Sequence, residues 1–219
     1  MRKYQAVLFD LDGTLLDSLA DIADSMNKVL ADLNLPTHPH VQYRYFVGSG
    51  METLVRRALP PQQVPETTVA KALDAMRREY HRNWQRQTRP YHDIPELLST
   101  LAGQHFKLAI LSNKPDDFTR KCVANLLDHK LFTVVRGARP DTPKKPDPAG
   151  ALAVAAQLAL PPESFCYVGD SGIDMQTARG AGMFAVGVRW GFREAEELLA
   201  NGADRLISRP LELLQLLDH

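Results

Sequence analysis

The hydrophobic pattern opens with a short stretch that is apolar at every position, Ala6 to Phe9. A strand buried on both faces of a parallel sheet has this pattern, so we expect a central β-strand here. Apolar residues then recur at three- and four-residue spacing from Leu19 to Leu33, which predicts an amphipathic helix. Ser18 and Asp21 are spaced like a capping box at the start of that helix.

Further helical patterns follow at Met51 to Leu59 and Val69 to Trp84, separated by a proline-rich stretch at 60–65. We find no convincing strand pattern between residues 41 and 87. Farther along the chain, helix and strand candidates alternate: 95–103, Leu108 to Leu111, 117–127, Phe132 to Val135, 148–159, Phe165 to Val168, 172–180, Phe184 to Val188, 194–201, Leu206 to Ile207 and 211–217.

This alternation is typical of an α/β fold with a doubly wound parallel-sheet core of the Rossmann-like type. The helical block after the first strand is most simply an insertion into that core. We therefore expect an α/β core at 1–16 and 91–219 and an all-helical insertion at 17–90.

The composition is that of an ordinary globular chain with a sizeable core: 219 residues, 44% hydrophobic and 24% charged, with a formal net charge of +0. A neutral balance gives no general reason to bind nucleic acid or an anionic membrane, although a basic pocket could hold one phosphate. No segment approaches the roughly 20 apolar residues of a membrane span. Because Cys122 and Cys166 lack metal-site spacing, we expect both to be buried thiols in a reducing compartment. We further expect a cytoplasmic protein that is monomeric or homodimeric and binds a small anionic ligand.

Two carboxylates, Asp10 and Asp12, follow the first predicted strand directly. Alternate side chains of a strand share a face, so both can point into one crevice at the carboxyl end of the strand. Two acids in different environments can divide nucleophilic and acid/base roles. An Asp-Gly turn alone would explain Gly13 but not an acid placed directly after four apolar residues.

Polar residues also follow the next predicted strand and a later loop. Ser112 and Asn113 could hold a phosphate at a helix start or merely cap that helix. Lys145, which precedes Pro146, could reach an anion as a point charge, with Lys144 as the alternative in register.

Another predicted strand ends at Asp170, and Asp174 follows four residues later. Hard divalent cations such as Mg²⁺ take oxygen ligands, so Asp170 could be a metal ligand. Asp174 could be a second ligand, could support the first, or could form part of a helix start. All of these positions fall at carboxyl ends of predicted parallel strands, the edge where open α/β sheets bind their ligands.

In order and spacing these residues resemble the four motifs of the haloacid dehalogenase superfamily of phosphotransferases, over essentially the whole chain. The motifs correspond to Phe9 to Thr14, to Ser112, to Lys145-Pro146 and to Gly169-Asp170 with Asp174. The insertion is similar to the small α-helical cap of the phosphoglycolate phosphatase branch. The segments most like that branch are 47–50, 54–59 and 112–115.

The resemblance implies that Asp10 is a nucleophile forming an aspartyl-phosphate and that Asp12 serves the leaving group and the hydrolytic water as acid and base. It implies Mg²⁺ on the Asp10 carboxylate, the Asp12 backbone carbonyl and Asp170, with Asp174 as ligand or support. Mn²⁺ would suit the same oxygen ligands. The residues expected to hold the substrate phosphate are Gly13, Thr14, Ser112, Asn113 and Lys145.

Substrate selection is expected in the cap. Gly48, Ser49 and Gly50 either let the backbone approach the substrate or form only a turn between helices. Arg56 and Arg57 could pair with a substrate carboxylate as a bidentate fork, although helical arginines more often face solvent.

The leading hypothesis is a Mg²⁺-dependent phosphomonoester hydrolase for a small phosphorylated metabolite, with 2-phosphoglycolate as the first candidate. A pyrophosphatase and a sugar-phosphate phosphatase or phosphomutase of the same superfamily are alternatives, since segment 136–141 departs from the branch pattern with two arginines. Asp12 disfavours a dehalogenase, and the cap and chain length disfavour a receiver-like phospho-accepting switch protein. Cap hinges are expected near Asp17 and Pro90.

Overall fold

The computed structural model describes residues 3–61 and 64–217. Within these ranges the chain forms eight β-strands and ten α-helices. The strands are β1 (Ala6–Phe9), β2 (Leu16–Asp17), β3 (Arg89–Pro90), β4 (Lys107–Pro115), β5 (Phe132–Ala138), β6 (Phe165–Gly169), β7 (Phe184–Val188) and β8 (Arg205–Ile207). The helices are α1 (Leu19–Asp32), α2 (His40–Phe46), α3 (Met51–Ala58), α4 (Glu66–Asn83), α5 (Ile94–Gly103), α6 (Asp116–Leu126), α7 (Ala149–Gln157), α8 (Gly172–Gly180), α9 (Ala195–Ala200) and α10 (Glu212–Leu217).

Six of these strands form one sheet in the order β5-β4-β1-β6-β7-β8, and every pair in it is parallel. The doubly wound α/β fold expected from the alternation of elements is confirmed. Strand β1 lies in the middle and is buried on both faces: Val7 and Phe9 belong to one hydrophobic cluster, Ala6 and Leu8 to the other. The carboxyl ends of β4, β1 and β6 are therefore neighbours, and residues that follow them meet at one edge.

In chain order, helices α1 to α4 fall between β1 and the remaining strands of the core. They have an apolar interior that includes the buried Tyr43, Tyr80 and Trp84. The two chain segments that connect this helical unit to the core run side by side, because β2 and β3 pair antiparallel. This ribbon includes Asp17 and Pro90, near which the sequence predicts the cap hinges, and the boundary of the cap stays a prediction.

Two local expectations were wrong. Strand β4 continues to Pro115 instead of ending at Leu111, with irregular pairing to β5 over its last residues. The capping box at the start of α1 is not formed. Instead, the Ser18 hydroxyl donates to Asp12, and the buried carboxylate of Asp21 accepts hydrogen bonds from the backbone and side chain of Thr88. Partners outside the helix thus satisfy both groups, an acceptor for Ser18 and donors for Asp21.

The two cysteines are buried and not bonded to each other, and burial raises the pKa of the Cys122 thiol to about 11. No helix among the described residues is long and apolar enough to cross a membrane.

Candidate active site

The two carboxylates after β1 each lie against a different buried lysine. The Asp10 backbone N–H donates to the Val168 carbonyl oxygen of β6 (2.9 Å), which continues the sheet by one residue. Lys145 Nζ then lies 2.7 Å from Asp10 Oδ1, whereas Lys114 Nζ lies 2.9 Å from Asp12 Oδ1. The two acids thus lie at one edge of the sheet but in different charge environments.

Lys145, and not the exposed Lys144, is the lysine beside Asp10. Its backbone is held by the Asn113 side chain, which accepts from Lys145 N (2.9 Å) and donates to Lys145 O (3.0 Å). Its ammonium donates to Asp10 Oδ1, to Asp174 Oδ1 (2.6 Å) and to the Leu111 carbonyl oxygen (3.1 Å). All three N–H donors are occupied, so the position of the charge is tightly defined.

Burial and charge oppose each other at this pair. Burial raises the pKa of Asp10 to about 7, although Lys145 lowers it and Asp174 raises it further. Burial lowers the pKa of Lys145, but Asp10 and Asp174 outweigh that effect and hold the pKa well above its usual range. Lys145 is therefore a permanent cation beside a carboxylate whose charge is costly without a further cation.

Asp170 completes a group of three buried carboxylates with Asp10 and Asp174, in which one oxygen of each lies within 4.8 Å of the others. Asp170 Oδ2 accepts from the Phe192 backbone N–H (2.7 Å). Burial, together with the charges of Asp174 and Asp10, raises the pKa of Asp170 well above its usual range. An all-oxygen set with excess negative charge is what a hard divalent cation binds.

Asp174 has little free capacity for such a cation. Its Oδ1 accepts from Lys145, and its Oδ2 accepts from the hydroxyl (2.6 Å) and the backbone N–H (3.1 Å) of Ser171. Asp10 and Asp170 are therefore the better direct ligands, and Asp174 orients Lys145.

Two glycines allow the approach to Asp170. Gly13 has φ +88°, and a Cβ there would lie 2.2 Å from Asp170 Oδ2. A Cβ on Gly191 would lie 2.2 Å from Asp170 Cβ and 2.6 Å from the Gly13 carbonyl oxygen. The carboxylate is thus enclosed by backbone that only glycine can supply.

The other residues predicted to hold phosphate occupy distinct positions. Ser112 is buried beside the site, and its hydroxyl accepts from the Lys114 backbone N–H (3.2 Å). The Asn113 amide is committed to Lys145 and to the Gly48 carbonyl oxygen of the cap (2.9 Å). Thr14 is fully buried, and its Oγ1 has no hydrogen-bond partner among the residues described.

A cavity of about 50 Å³ separates Asp10 and Asp12 from the cap. Its cap wall is largely apolar, with Ile22, Leu54 and Met76 contributing side chains. Gly48 and Gly50 line it as well, at φ +115° and +91°.

The two cap arginines lie elsewhere. Arg56 pairs with Glu52 (2.9 Å) and Glu66 (2.8 Å) on the cap surface, and these carboxylates raise its pKa. Arg57 donates to the carbonyl oxygens of Tyr45 (3.0 Å) and Phe46 (3.3 Å). Both guanidinium groups thus stabilise the cap itself, and among the described residues that line the cavity the basic one is Lys114.

Segment 136–141 comprises the last residues of β5 and the start of the loop that follows it. Arg139 pairs with Asp116 (3.0 Å), and Arg136 donates to the Thr142 hydroxyl (3.1 Å). These arginines support the loop before Lys145 and do not line the cavity beside Asp10.

Arg44 and Arg193 make contacts between the cap and the core that the sequence does not predict. We call these contacts the cap seam. Arg44 of α2 donates to the carbonyl oxygens of Phe192 (3.0 Å) and Gly191 (2.9 Å), and Arg193 donates to the Val47 carbonyl oxygen (2.9 Å). The seam thus fastens the cap to the loop that also holds Asp170. Isolated arginines carry no motif, so this arrangement leaves no signal in the sequence.

Comparison with known proteins agrees with this geometry. The model for the haloacid dehalogenase-like hydrolases matches residues 7–188. The chain is similar to a phosphoglycolate phosphatase of Aquifex aeolicus, with 31% identity over 98% of this chain and 97% of the relative. It is also similar to one of Colwellia psychrerythraea, with 32% identity over 90% of each chain. The crystal structure of a predicted phosphoglycolate phosphatase from Haemophilus somnus superposes with a TM-score of 0.93 at 27% identity, covering 99% of both chains.

Proposed function

Because the chain belongs to the haloacid dehalogenase-like hydrolase family, we propose that it is a Mg²⁺-dependent phosphatase that hydrolyses 2-phosphoglycolate through an aspartyl-phosphate on Asp10. The observation that carries the proposal is the buried Asp10 carboxylate, which lies 2.7 Å from a permanent cation and opens onto a small cavity. The phosphoglycolate phosphatases named above support the substrate.

In the first half of the reaction, an Asp10 carboxylate oxygen attacks the phosphorus of the ester. The bond from phosphorus to the leaving oxygen breaks, its electron pair goes to that oxygen, and Asp12 supplies the proton that makes the product alcohol. Lys145 and the Ser112 hydroxyl offset the charge on the nonbridging oxygens, where positioning and electrostatics provide most of the acceleration.

In the second half, Asp12 accepts a proton from a water molecule that attacks the same phosphorus. The bond between phosphorus and Asp10 breaks, so inorganic phosphate leaves and the Asp10 carboxylate is restored. Ser18 and Lys114 hold the Asp12 carboxylate at 2.6 Å and 2.9 Å, which keeps it in place for both proton transfers.

Asp10, Asp170 and the Asp12 backbone carbonyl would hold Mg²⁺, with Asp174 supporting Lys145. The cation would supply positive charge for the phosphoryl oxygens and for the carboxylates themselves. The raised pKa values of Asp10 and Asp170 fit this assignment, because both carboxylates need a nearby cation to remain ionised.

The cavity supports a small leaving group. The apolar cap wall suits glycolate, which has one polar group beyond the ester oxygen, better than a sugar, whose several hydroxyl groups would each need a polar partner.

The test is phosphate release from 2-phosphoglycolate, sugar phosphates, nucleotides and pyrophosphate, with Mg²⁺ and with a chelator. We expect metal-dependent turnover of 2-phosphoglycolate that Asp10→Asn abolishes. Turnover that survives in the variant would refute the nucleophile. Asp10-dependent turnover of pyrophosphate or a sugar phosphate alone would keep the chemistry and refute the substrate.

A further inference from the structure

Lys114 is a buried lysine that the mechanism above uses only to hold Asp12. It lies near the end of β4, with its side chain 4% exposed. Its ammonium donates to both Asp12 oxygens (2.9 and 3.0 Å) and to the Tyr80 hydroxyl of cap helix α4 (2.7 Å). Burial lowers its pKa, but Asp12, Tyr80 and Cys122 together raise the pKa well above its usual range, so the group is a cation inside the cavity.

We propose that Lys114 selects the substrate by binding an anionic group, specifically a carboxylate, on the leaving-group side of the ester. This inference rests on the proposed function and identifies the residue that gives it specificity. Two buried lysines then interact with different parts of the substrate. Lys145, beside Asp10, faces the transferred phosphoryl group, and Lys114, beside Asp12, faces the leaving alcohol.

The position of Asp12 carries the argument. The oxygen that leaves must come within hydrogen-bond reach of Asp12, because Asp12 protonates it. Lys114 Nζ already lies 2.9 Å from the Asp12 carboxylate. A carboxylate separated from the leaving oxygen by one carbon, as in 2-phosphoglycolate, therefore comes within reach of the same ammonium.

Lys114 is the basic residue that lines this cavity within the described part of the chain. Lys144 approaches Gly50 but does not line the cavity, and Arg56 and Arg57 are committed to cap residues. A carboxylate in this cavity would therefore find its charged partner in Lys114, which would offset the loss of its water. One N–H of Lys114 can pass from the second Asp12 oxygen to the ligand while the first contact is kept, because the pair is bidentate.

The experiment compares 2-phosphoglycolate with ethyl phosphate, which has the same number of carbons and no carboxylate. The quantity measured is the ratio of the two kcat/KM values, in wild type and in Lys114→Met. We expect this ratio to fall about 100-fold in the variant, the size of a lost hydrogen bond between charged groups. Any common loss for both esters reports the contact of Lys114 with Asp12 and cancels in the ratio.

Lys107→Met is the matched control, because Lys107 is an exposed lysine at the other end of β4. It should leave the ratio unchanged within about twofold, since it touches neither ligand nor cavity. Lys114→Arg retains the charge and should keep most of the preference, and it also decides the question if Lys114→Met does not fold, as judged by thermal unfolding.

Each result has a distinct meaning. Equal losses for both esters in Lys114→Met would overturn the inference and leave Lys114 as a positioning residue for Asp12. If wild type releases phosphate from other esters in an Asp10-dependent way but not from 2-phosphoglycolate, both the substrate and this inference fail while the chemistry stands. If Asp10→Asn retains full activity, the proposed function itself fails.

Discussion

The group of acids and Lys145 at the strand ends differs from the cap seam in how its side chains are held. At the strand ends, Asp10 continues the pairing of β1, and Gly13 lets Asp170 approach closely. At the seam, Arg44 and Arg193 reach across from separate elements to backbone carbonyls. The acids are thus positioned by the sheet itself, whereas the seam contacts are made by long side chains from elements far apart in the chain.

The difference has an energetic side. The strand ends concentrate like charges, which raises the pKa values of Asp10 and Asp170 and costs folding free energy. The seam joins charged donors to neutral carbonyl acceptors, so its contacts carry no such cost.

The largest effect should come from Asp10→Asn at the strand ends. The amide cannot form an acyl phosphate, so we expect phosphate release to fall by more than about 10³-fold. The variant should still fold, because the amide oxygen can accept from Lys145. Steady-state kinetics measures the activity, and thermal unfolding measures the stability of the variant. A variant that loses activity only because it unfolds would contradict the expectation that this substitution removes the chemistry and leaves the fold intact.

Gly13→Ala should be the next most damaging change. Its Cβ would lie 2.2 Å from Asp170 Oδ2, so the carboxylate must move, and a displacement of about 1 Å costs about 100-fold in kcat/KM. Gly182→Ala is the matched control: its φ is +72°, but no atom lies within 4 Å of the added Cβ. The control pays only the backbone cost of about 1–2 kcal/mol and should retain activity. Equal activity in the two variants would show that Asp170 is not confined as described.

Stability should depend on pH and divalent cation together. In a chelator, Asp10 has a pKa of about 7 when folded against an ordinary 3.8, so the folded state binds the proton more tightly. Stability is then highest below about pH 4 for this group and falls as pH rises towards about 7. Asp170 acts in the same direction, whereas Lys145 stays charged throughout.

Thermal unfolding between pH 4 and 8 tests this expectation. Mg²⁺ at about 100 times its Kd should add about 2.7 kcal/mol and reduce the slope, because it binds the ionised acids. Asp10→Asn should flatten the metal-free profile. A melting temperature that rises with pH in chelator would refute the assignment.

The smallest effect should come from the seam. Arg44→Ala removes two hydrogen bonds to carbonyls, of about 1 kcal/mol each, and should raise KM about 3- to 10-fold with a smaller change in kcat. Arg77→Ala is the control, because Arg77 also joins cap to core, through an exposed ion pair with Asp117. Such pairs contribute about 0–1 kcal/mol, so KM should hardly change. Equal effects would mean that burial does not distinguish the two contacts.

Much of this molecule follows from local sequence. Short segments are enough to predict the continuously apolar β1 and the alternation of later elements, because their periodicity is local. Short segments also indicate the positions of Asp10, Lys145 and Asp170 from their residue types. The end of β4 does not follow from local sequence, because Ser112 to Lys114 are polar and have the pattern of a loop. The strand extends past them because pairing with β5, shifted in register after Leu111, resumes between Pro115 and Ala138.

Short segments of the sequence already indicate the fold class, the family and the sheet edge at which the polar residues gather. The partners of individual side chains follow from packing instead: Asp21 with Thr88, Asn113 with the cap, and Lys114 with Asp12 in the cavity. Periodicity and strand ends are properties of neighbouring residues. A long polar side chain, in contrast, meets its partner here only after elements 65 to 102 residues apart have packed together.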